Sequence, residues 1–147
     1  MKPRIKMIHT RHVLFTCAAC LFLLAGQSAG AFPDGANVVV DAKGRRIAVE
    51  KPFERIISLY TAHTENLFSL GLDAAILGVS PSETHPPEAL AKPVFSYRDD
   101  PEKFLAARPD LVLIRPMIDN GYPLLVERLE KSGIAVVSLQ PSAPGEL

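Results

Sequence analysis

Residues 110–139, DLVLIRPMIDNGYPLLVERLEKSGIAVVSL, decide the fold class. The two ends of this segment, 110–114 and 134–139, are apolar runs of the length that buried strands have. Between them lies an apolar stripe at helical spacing, formed by Tyr122, Leu125, Val126 and Leu129. Gly133 follows the stripe and is a typical residue at the end of a helix. A strand, a helix and a strand in this order predict two parallel strands joined by a crossover helix.

The same alternation of strands and helices extends upstream. Apolar runs at 55–59 and 75–79 predict two more strands, with a helix at 65–70 between them that stops at Gly71. Asp100, Pro101 and Glu102 supply an N-cap, a proline at the first helical position and a carboxylate near the positive helix end, so a further helix begins there and ends before Pro109. Runs at 38–40 and 47–49 around a glycine turn predict a short β-hairpin. We therefore predict an α/β chain with a Rossmann-like parallel sheet, helices on both faces and a preceding hairpin.

The first 31 residues have the organisation of a secretory signal peptide. A basic head precedes an uncharged apolar stretch at 13–25, and Ala29-Gly30-Ala31 offers small residues to a signal peptidase. As a helix, 13–25 spans only ~20 Å, against a membrane core of ~30 Å, so an uncleaved anchor is the weaker alternative. We expect cleavage near Ala31 and one exported domain, 32–147, periplasmic or otherwise outside the cytoplasm.

Cysteine content and charge exclude several classes of site. Both cysteines, Cys17 and Cys20, lie in the apolar leader, so residues 32–147 form neither disulfides nor thiolate metal sites. The branched apolar residue typical of a lipoprotein signal is missing before Cys20, which disfavours lipidation. Sixteen Lys and Arg balance sixteen Asp and Glu, and Trp is absent, so we expect no nucleic-acid partner.

Candidate binding residues follow the predicted strands, because ligands of parallel sheets meet the loops at the carboxyl ends of the strands. The expected loops are 60–64, 80–85 and 115–120, with 97–98 as a fourth position. The ligand-binding candidates are Tyr60, Thr61, His63, Ser82, His85, Tyr97 and Arg115. Their hydroxyl, imidazole and guanidinium groups suit a polar or anionic ligand, or contact with a metal centre.

Each of these residues also has an ordinary structural interpretation. His63 and His85 are twenty-two residues apart, which matches no recognised metal-site spacing, so surface or capping roles are the more frequent outcome. Arg115 either binds an anionic group or is solvated at the end of its strand. We assign no metal ligands and expect no cofactor.

Signatures of catalysis are missing from the sequence. It contains neither a Gly-x-Ser-x-Gly elbow nor a phosphate-binding glycine loop nor a His-Glu-x-x-His motif. The triplet His63-Thr64-Glu65 is similar to the start of a zinc deaminase motif, but the required cysteine pair is absent. We therefore expect that the protein is not an enzyme and has no catalytic residues.

Six short motifs between about residues 37 and 141 resemble one known family in order and spacing. They are 41–45 (DAKGR), 54–59 (ERIISL), 64–67 (TENL) followed by 70–71 (LG), 78–80 (GVS), 86–87 (PP) and 109–113 (PDLVL). In this order they resemble the amino-terminal lobe of the periplasmic substrate-binding proteins of ABC importers for iron siderophores, haem and cobalamin.

The resemblance implies a receptor with two Rossmann-like lobes, a long helix between them and a metal chelate in the cleft. It also implies delivery to an ABC permease in the cytoplasmic membrane, with Glu102 matching a glutamate that docks on permease arginines. Glu102 is equally explained as a helix-start carboxylate, and both roles are compatible. The aromatic residues typical of cobalamin-binding members are not evident after Ser80, so ferric siderophore, haem and cobalamin all remain open.

Family members continue past the position of Leu147 into the linking helix and a second lobe. We therefore expect this chain to be a fragment whose single lobe binds weakly, because a chelate is normally enclosed by two walls. The alternative is a self-contained secreted domain that binds a partner protein and no small ligand. A third, weaker hypothesis is a small secreted hydrolase with His63 or His85 as its base.

Overall fold

The computed structural model describes residues 37–140. The predicted signal peptide, its two cysteines and residues 141–147 lie outside the described residues. Contacts divide the chain into two units, Met1–Phe32 and Pro33–Leu147, and the described residues all belong to the second. Within residues 37–140, no helix combines the length and the apolar character needed to cross a membrane.

Strands and helices alternate along the described chain. The strands are β1 (Asn37–Val40), β2 (Arg46–Val49), β3 (Ile56–Ser58), β4 (Ile76–Val79), β5 (Leu111–Ile114) and β6 (Ala135–Ser138). The helices are α1 (Thr61–Ser69), α2 (Pro101–Ala107), α3 (Pro116–Gly121) and α4 (Pro123–Lys131), with short 3₁₀ turns at Asp73–Ala75 and Pro87–Ala91. The α2 helix begins as predicted, because the Asp100 side chain accepts a hydrogen bond from the Glu102 amide.

Strands β3 to β6 form one parallel sheet in the order β4-β3-β5-β6, and β1 and β2 pair as an antiparallel hairpin. The predicted fold class is confirmed. From β3 the chain first moves outward to β4 and then returns to the other side of β3 to form β5. The connections therefore leave β3 and β5 in opposite directions, which opens a crevice at their carboxyl ends.

Both faces of the sheet are buried, as a parallel sheet requires. One set of inward side chains, including Ile57 and Val112, packs with Phe104 of α2 and Leu129 of α4. The alternate set, including Ile56, packs with α1 and the hairpin. The strand sequences are almost entirely apolar because their side chains are buried on both faces of the sheet.

The hairpin is attached to the carboxyl end of β6 through Asp41. Its buried carboxylate accepts hydrogen bonds from the Ser138 amide at 3.1 Å and from the Arg45 side chain at 2.8 Å. Arg45 also pairs with Asp119 of α3 at 2.7 Å. The 41–45 motif therefore connects the hairpin, the sheet edge and α3.

Two of the expected loops are helical, which corrects the sequence prediction. Residues 60–64 mostly belong to α1, which begins at Thr61 because the Tyr60 carbonyl already accepts from the Thr64 amide at 3.1 Å. Residues 115–120 mostly belong to α3, where proline occupies the first position and the Arg115 carbonyl accepts from the Ile118 amide at 2.9 Å. Both helices place their amino-terminal ends at the carboxyl edge of the sheet.

Candidate functional site

A cavity of about 200 Å³ lies at the carboxyl ends of β3, β4 and β5. Five of the predicted ligand-binding residues line it, namely Tyr60, Thr61, Ser82, Tyr97 and Arg115. Its other lining residues are Leu59, Ser80, Met117 and Ile118. We call this cavity the carboxyl-edge pocket.

Arg115 is held in the pocket by the ring of Tyr60. The guanidinium carbon lies 4.2 Å from the ring centroid, within the range of a cation–π interaction. Its Nε atom is buried and has no hydrogen-bond partner within residues 37–140. The pocket thus contains a fixed positive charge with unused hydrogen-bonding capacity, which suits an anionic ligand.

His63 lies beside Tyr60 but does not line the pocket. Its side chain is buried, and its ring meets the Tyr60 ring edge-on with a centroid separation of 5.0 Å. Burial lowers the pKa of His63, and the nearby Arg115 charge lowers it further, while the Leu139 backbone partly opposes the change. The neutral imidazole of His63 therefore packs against the Tyr60 ring.

His85 is exposed in the loop that follows β4 and does not line the pocket either. Among the described residues, no group of three or more His, Cys, Asp or Glu side chains is placed to hold a metal ion. The histidine contributions to ligand binding stay predictions.

Tyr97 belongs to a small aromatic cluster at one wall of the pocket. Its ring centroid lies 4.7 Å from that of Tyr122, and the Arg98 guanidinium carbon lies 5.5 Å from the Tyr97 centroid. Arg98 Nε donates to the Tyr122 hydroxyl at 3.4 Å. Packing against Tyr122 and Arg98 holds the Tyr97 ring in place. Tyr97 therefore offers both an aromatic face and a hydroxyl group to the pocket.

Sequence reasoning missed Glu83, which lies behind the pocket. Glu83 Oε1 accepts hydrogen bonds from the Thr64 hydroxyl at 3.0 Å and the Ser80 hydroxyl at 2.9 Å. The only signal in the sequence is a carboxylate four residues after the end of β4. The loop predicted at 115–120 also gives no indication that Met117 and Ile118 line the pocket, because their positions depend on α3.

Glu102 lies in the first turn of α2 and is exposed. Its Oε1 atom is 2.8 Å from Arg128 Nη2, and both side chains are more than half exposed. The pair is therefore accessible to a partner. Permease docking through Glu102 stays a prediction.

A larger groove of about 470 Å³ lies between the hairpin and the amino end of β6. Its lining residues are 45–47, Glu130 and 133–136, and Arg45 pairs with Glu130 at 3.2 Å. It lies at the amino end of β6, whereas parallel sheets bind ligands at the carboxyl ends of their strands. The carboxyl-edge pocket is the better candidate site.

No protein-family model matches the chain. A curated relative, the uncharacterized ABC transporter substrate-binding lipoprotein YvrC of Bacillus subtilis (strain 168), is 28% identical over 116 residues, which are 78% of this chain and 36% of YvrC.

Solved structures that are similar to this chain are also binding proteins of this kind. A possible iron-binding periplasmic solute-binding protein from Staphylococcus epidermidis ATCC 12228 has a TM-score of 0.58 and 31% identity over 63% of this chain and 36% of its own. A periplasmic heme binding protein from Pseudomonas aeruginosa has a TM-score of 0.55 and 27% identity over 60% of this chain and 32% of its own.

The chain spans about a third of the length of these relatives. Their names agree with the family that the six sequence motifs indicated. The predicted resemblance is confirmed: over this part of their length, the chain is similar to the periplasmic substrate-binding proteins of ABC importers.

Proposed function

We propose that this chain forms the amino-terminal lobe of an exported substrate-binding protein for an ABC importer, and that its carboxyl-edge pocket contacts an iron or haem chelate. The observation that carries the proposal is the Arg115 guanidinium, fixed over Tyr60 at the edge where parallel sheets bind ligands. The proposed partners are the chelate and an ABC permease.

The pocket has the chemistry that such a ligand needs. Arg115 provides charge-assisted hydrogen bonds to anionic oxygens of a chelate, such as carboxylates. Thr61, Ser82 and Tyr97 add hydroxyl groups, and Met117 provides an apolar surface at the rim. The metal arrives inside the cargo, so the lobe needs no metal-ligand cluster of its own.

The identity of the cargo is proposed only at the level of class. The names of the relatives mention iron and heme, which favours a ferric chelate or haem over cobalamin. A second wall is expected to close over the ligand in the whole receptor, so the single lobe should bind more weakly than the whole. The relatives are substrate-binding proteins, which supports a non-enzymatic role.

The proposed location is outside the cytoplasm. Support comes from the signal-like leader at 1–31 and from relatives described as periplasmic proteins or as a lipoprotein. We propose that Glu102 docks on the permease, because it is exposed at the start of α2 and its present partner Arg128 is also exposed. An exposed ion pair is weak enough to exchange for a partner's arginine.

The proposal is tested by titrating the chain with haem and, separately, with a ferric siderophore. Absorbance spectroscopy and isothermal titration calorimetry measure the affinity for each chelate. Replacing Arg115 by Gln should weaken binding about 10- to 100-fold, because a hydrogen bond to a charged group contributes about 1.5–3 kcal/mol. Arg108→Gln is the matched control, since Arg108 is exposed at the opposite edge of the sheet and should leave affinity unchanged.

Equal affinities for wild type and Arg115→Gln would contradict the proposed site. No binding of either chelate by the wild-type chain at millimolar concentration would instead favour the self-contained protein-interaction domain.

A further inference from the structure

Glu83 links two walls of the carboxyl-edge pocket without lining it. Its Oε1 atom accepts from Thr64 on α1 and from Ser80 at the end of β4. The Thr64 hydroxyl is also 2.9 Å from the Ser58 hydroxyl at the end of β3, and both of these residues are fully buried. One carboxylate oxygen therefore ties the ends of two strands to the first turns of a helix.

The link reaches the pocket through neighbouring residues. Thr61, a pocket residue, lies one turn before Thr64 on the same helix, and Ser82, on the facing wall, directly precedes Glu83. The Thr61 hydroxyl donates to the Ser82 carbonyl at 3.3 Å, a long hydrogen bond that holds the two walls weakly by itself. The Glu83 contacts are shorter, at 3.0 Å to Thr64 and 2.9 Å to Ser80, and they are partly buried.

A purely stabilising role fits Glu83 poorly. Its second carboxylate oxygen, Oε2, is buried and lacks a hydrogen-bond partner in the described part of the chain. Burying a carboxylate oxygen without a donor opposes folding. The contribution of the residue is therefore to local geometry more than to global stability.

We propose that Glu83 is the positioning residue of the pocket: its carboxylate holds the loop after β4 against α1 and so sets the distance between the walls that carry Thr61 and Ser82. This inference rests on the proposed function of the same pocket, and Glu83 itself does not touch the ligand.

The first test needs no ligand. Backbone amide hydrogen exchange is measured in the wild type, in Glu83→Ala and in the control Glu88→Ala, which alters an exposed glutamate five residues away. We expect exchange at 80–85 and 61–64 to become about tenfold faster in Glu83→Ala only, with β5 and β6 unchanged. Unchanged exchange in these two segments would overturn the proposal.

The second test measures haem affinity. Glu83→Ala should weaken binding about tenfold, and Glu83→Gln, which keeps an acceptor oxygen, should restore most of it. Thr64→Val removes the donor on α1 and should reproduce the defect, without a further loss in the double variant with Glu83→Ala.

The outcomes separate the two proposals. Absence of haem and siderophore binding by the wild type would overturn the proposed function. Faster amide hydrogen exchange at 80–85 and 61–64 in Glu83→Ala would still support the link that Glu83 makes between the two walls. Faster exchange with unchanged affinity would overturn the positioning role.

Discussion

The Arg115 guanidinium carbon lies 4.2 Å from the centre of the ring of Tyr60, which follows the neighbouring strand β3. This contact follows from the register of the sheet, in which Ser58 of β3 pairs with Leu113 of β5. Tyr60 and Arg115 each follow these paired residues by two positions, so they lie side by side just beyond the ends of β3 and β5. The strand register thus places a cation on an aromatic face at the mouth of the crevice.

Tyr60→Leu should lower the free energy of unfolding by about 1 kcal/mol relative to Tyr60→Phe, because the cation–π interaction contributes about 0.5–2 kcal/mol and a phenyl ring preserves it. Urea denaturation of the three proteins measures the difference. Equal losses in the Leu and Phe variants would show that the ring face does not hold Arg115.

The buried His63 makes stability depend on pH. Its pKa is lowered in the folded chain, so folding favours the neutral imidazole. The stabilisation is fully present above the unfolded pKa of about 6.5 and is lost as pH falls through the lower folded pKa, with a slope of at most about 1.4 kcal/mol per pH unit.

Urea denaturation should therefore show a lower free energy of unfolding at pH 5.5 than at pH 7.5 in the wild type, by at most about 1.4 kcal/mol. The exposed-site control His85→Gln should keep this decrease, and His63→Phe should lose it. An identical pH dependence in wild type and His63→Phe would contradict this assignment.

Asp41 should be the most sensitive position of the hairpin. Burial alone would raise its pKa, but hydrogen bonds from Ser138, Arg45 and Lys43 together lower it. Asp41→Ala should lower the free energy of unfolding by about 3 kcal/mol, because it leaves Arg45 and the Ser138 amide without this partner. Asp73→Ala, at an exposed aspartate, should change it by less than about 0.5 kcal/mol. Similar urea midpoints for the two variants would show that the hairpin contact is dispensable.

Much of the fold was predictable because its signals are local. The strands are apolar runs, and Asp100-Pro101 marks a helix start directly. The early start of α1 was missed because Tyr60, Thr61 and His63 carry no clear apolar stripe. The start of α3 does have a signal, a proline after Arg115, but Asp119 and Asn120, which are typical of turns, favour a loop.

The site was predictable only in part. Strand ends identified Tyr60, Ser82 and Arg115 because loop position follows from strand order. The contact of Glu83 with Thr64 joins residues nineteen apart, and no local pattern encodes it. The burial of His63 likewise depends on how α1 packs against the sheet.

Gly78 is required by close packing in β4. A Cβ atom at this position would lie 2.3 Å from Phe95 Cδ2, and Phe95 is buried against Phe104. Gly78→Ala should therefore destabilise the chain by about 1–3 kcal/mol through displacement of the ring. Gly121→Ala, where an added Cβ meets open space, is the control, and thermal melting compares the two. A wild-type melting temperature for Gly78→Ala would refute the packing argument.

Glu102→Ala should separate transport from binding. The exposed pair with Arg128 contributes little, so the free energy of unfolding should fall by less than about 1 kcal/mol and chelate affinity should not change. In a receptor completed with its second lobe, uptake through the ABC importer should fall, because Glu102 is proposed to dock on the permease. Glu88→Ala serves as the exposed-carboxylate control, and unchanged uptake in Glu102→Ala would remove the docking role.

The most direct test of the central claim is an NMR titration of the ¹⁵N-labelled chain with gallium(III) protoporphyrin, a diamagnetic substitute for haem that reports weak binding residue by residue. The largest amide shifts are expected at Thr61, Ser82 and Arg115, and they should be lost in Arg115→Gln. Shifts centred on 133–136 beside the hairpin, or shifts unaffected by Arg115→Gln, would contradict it.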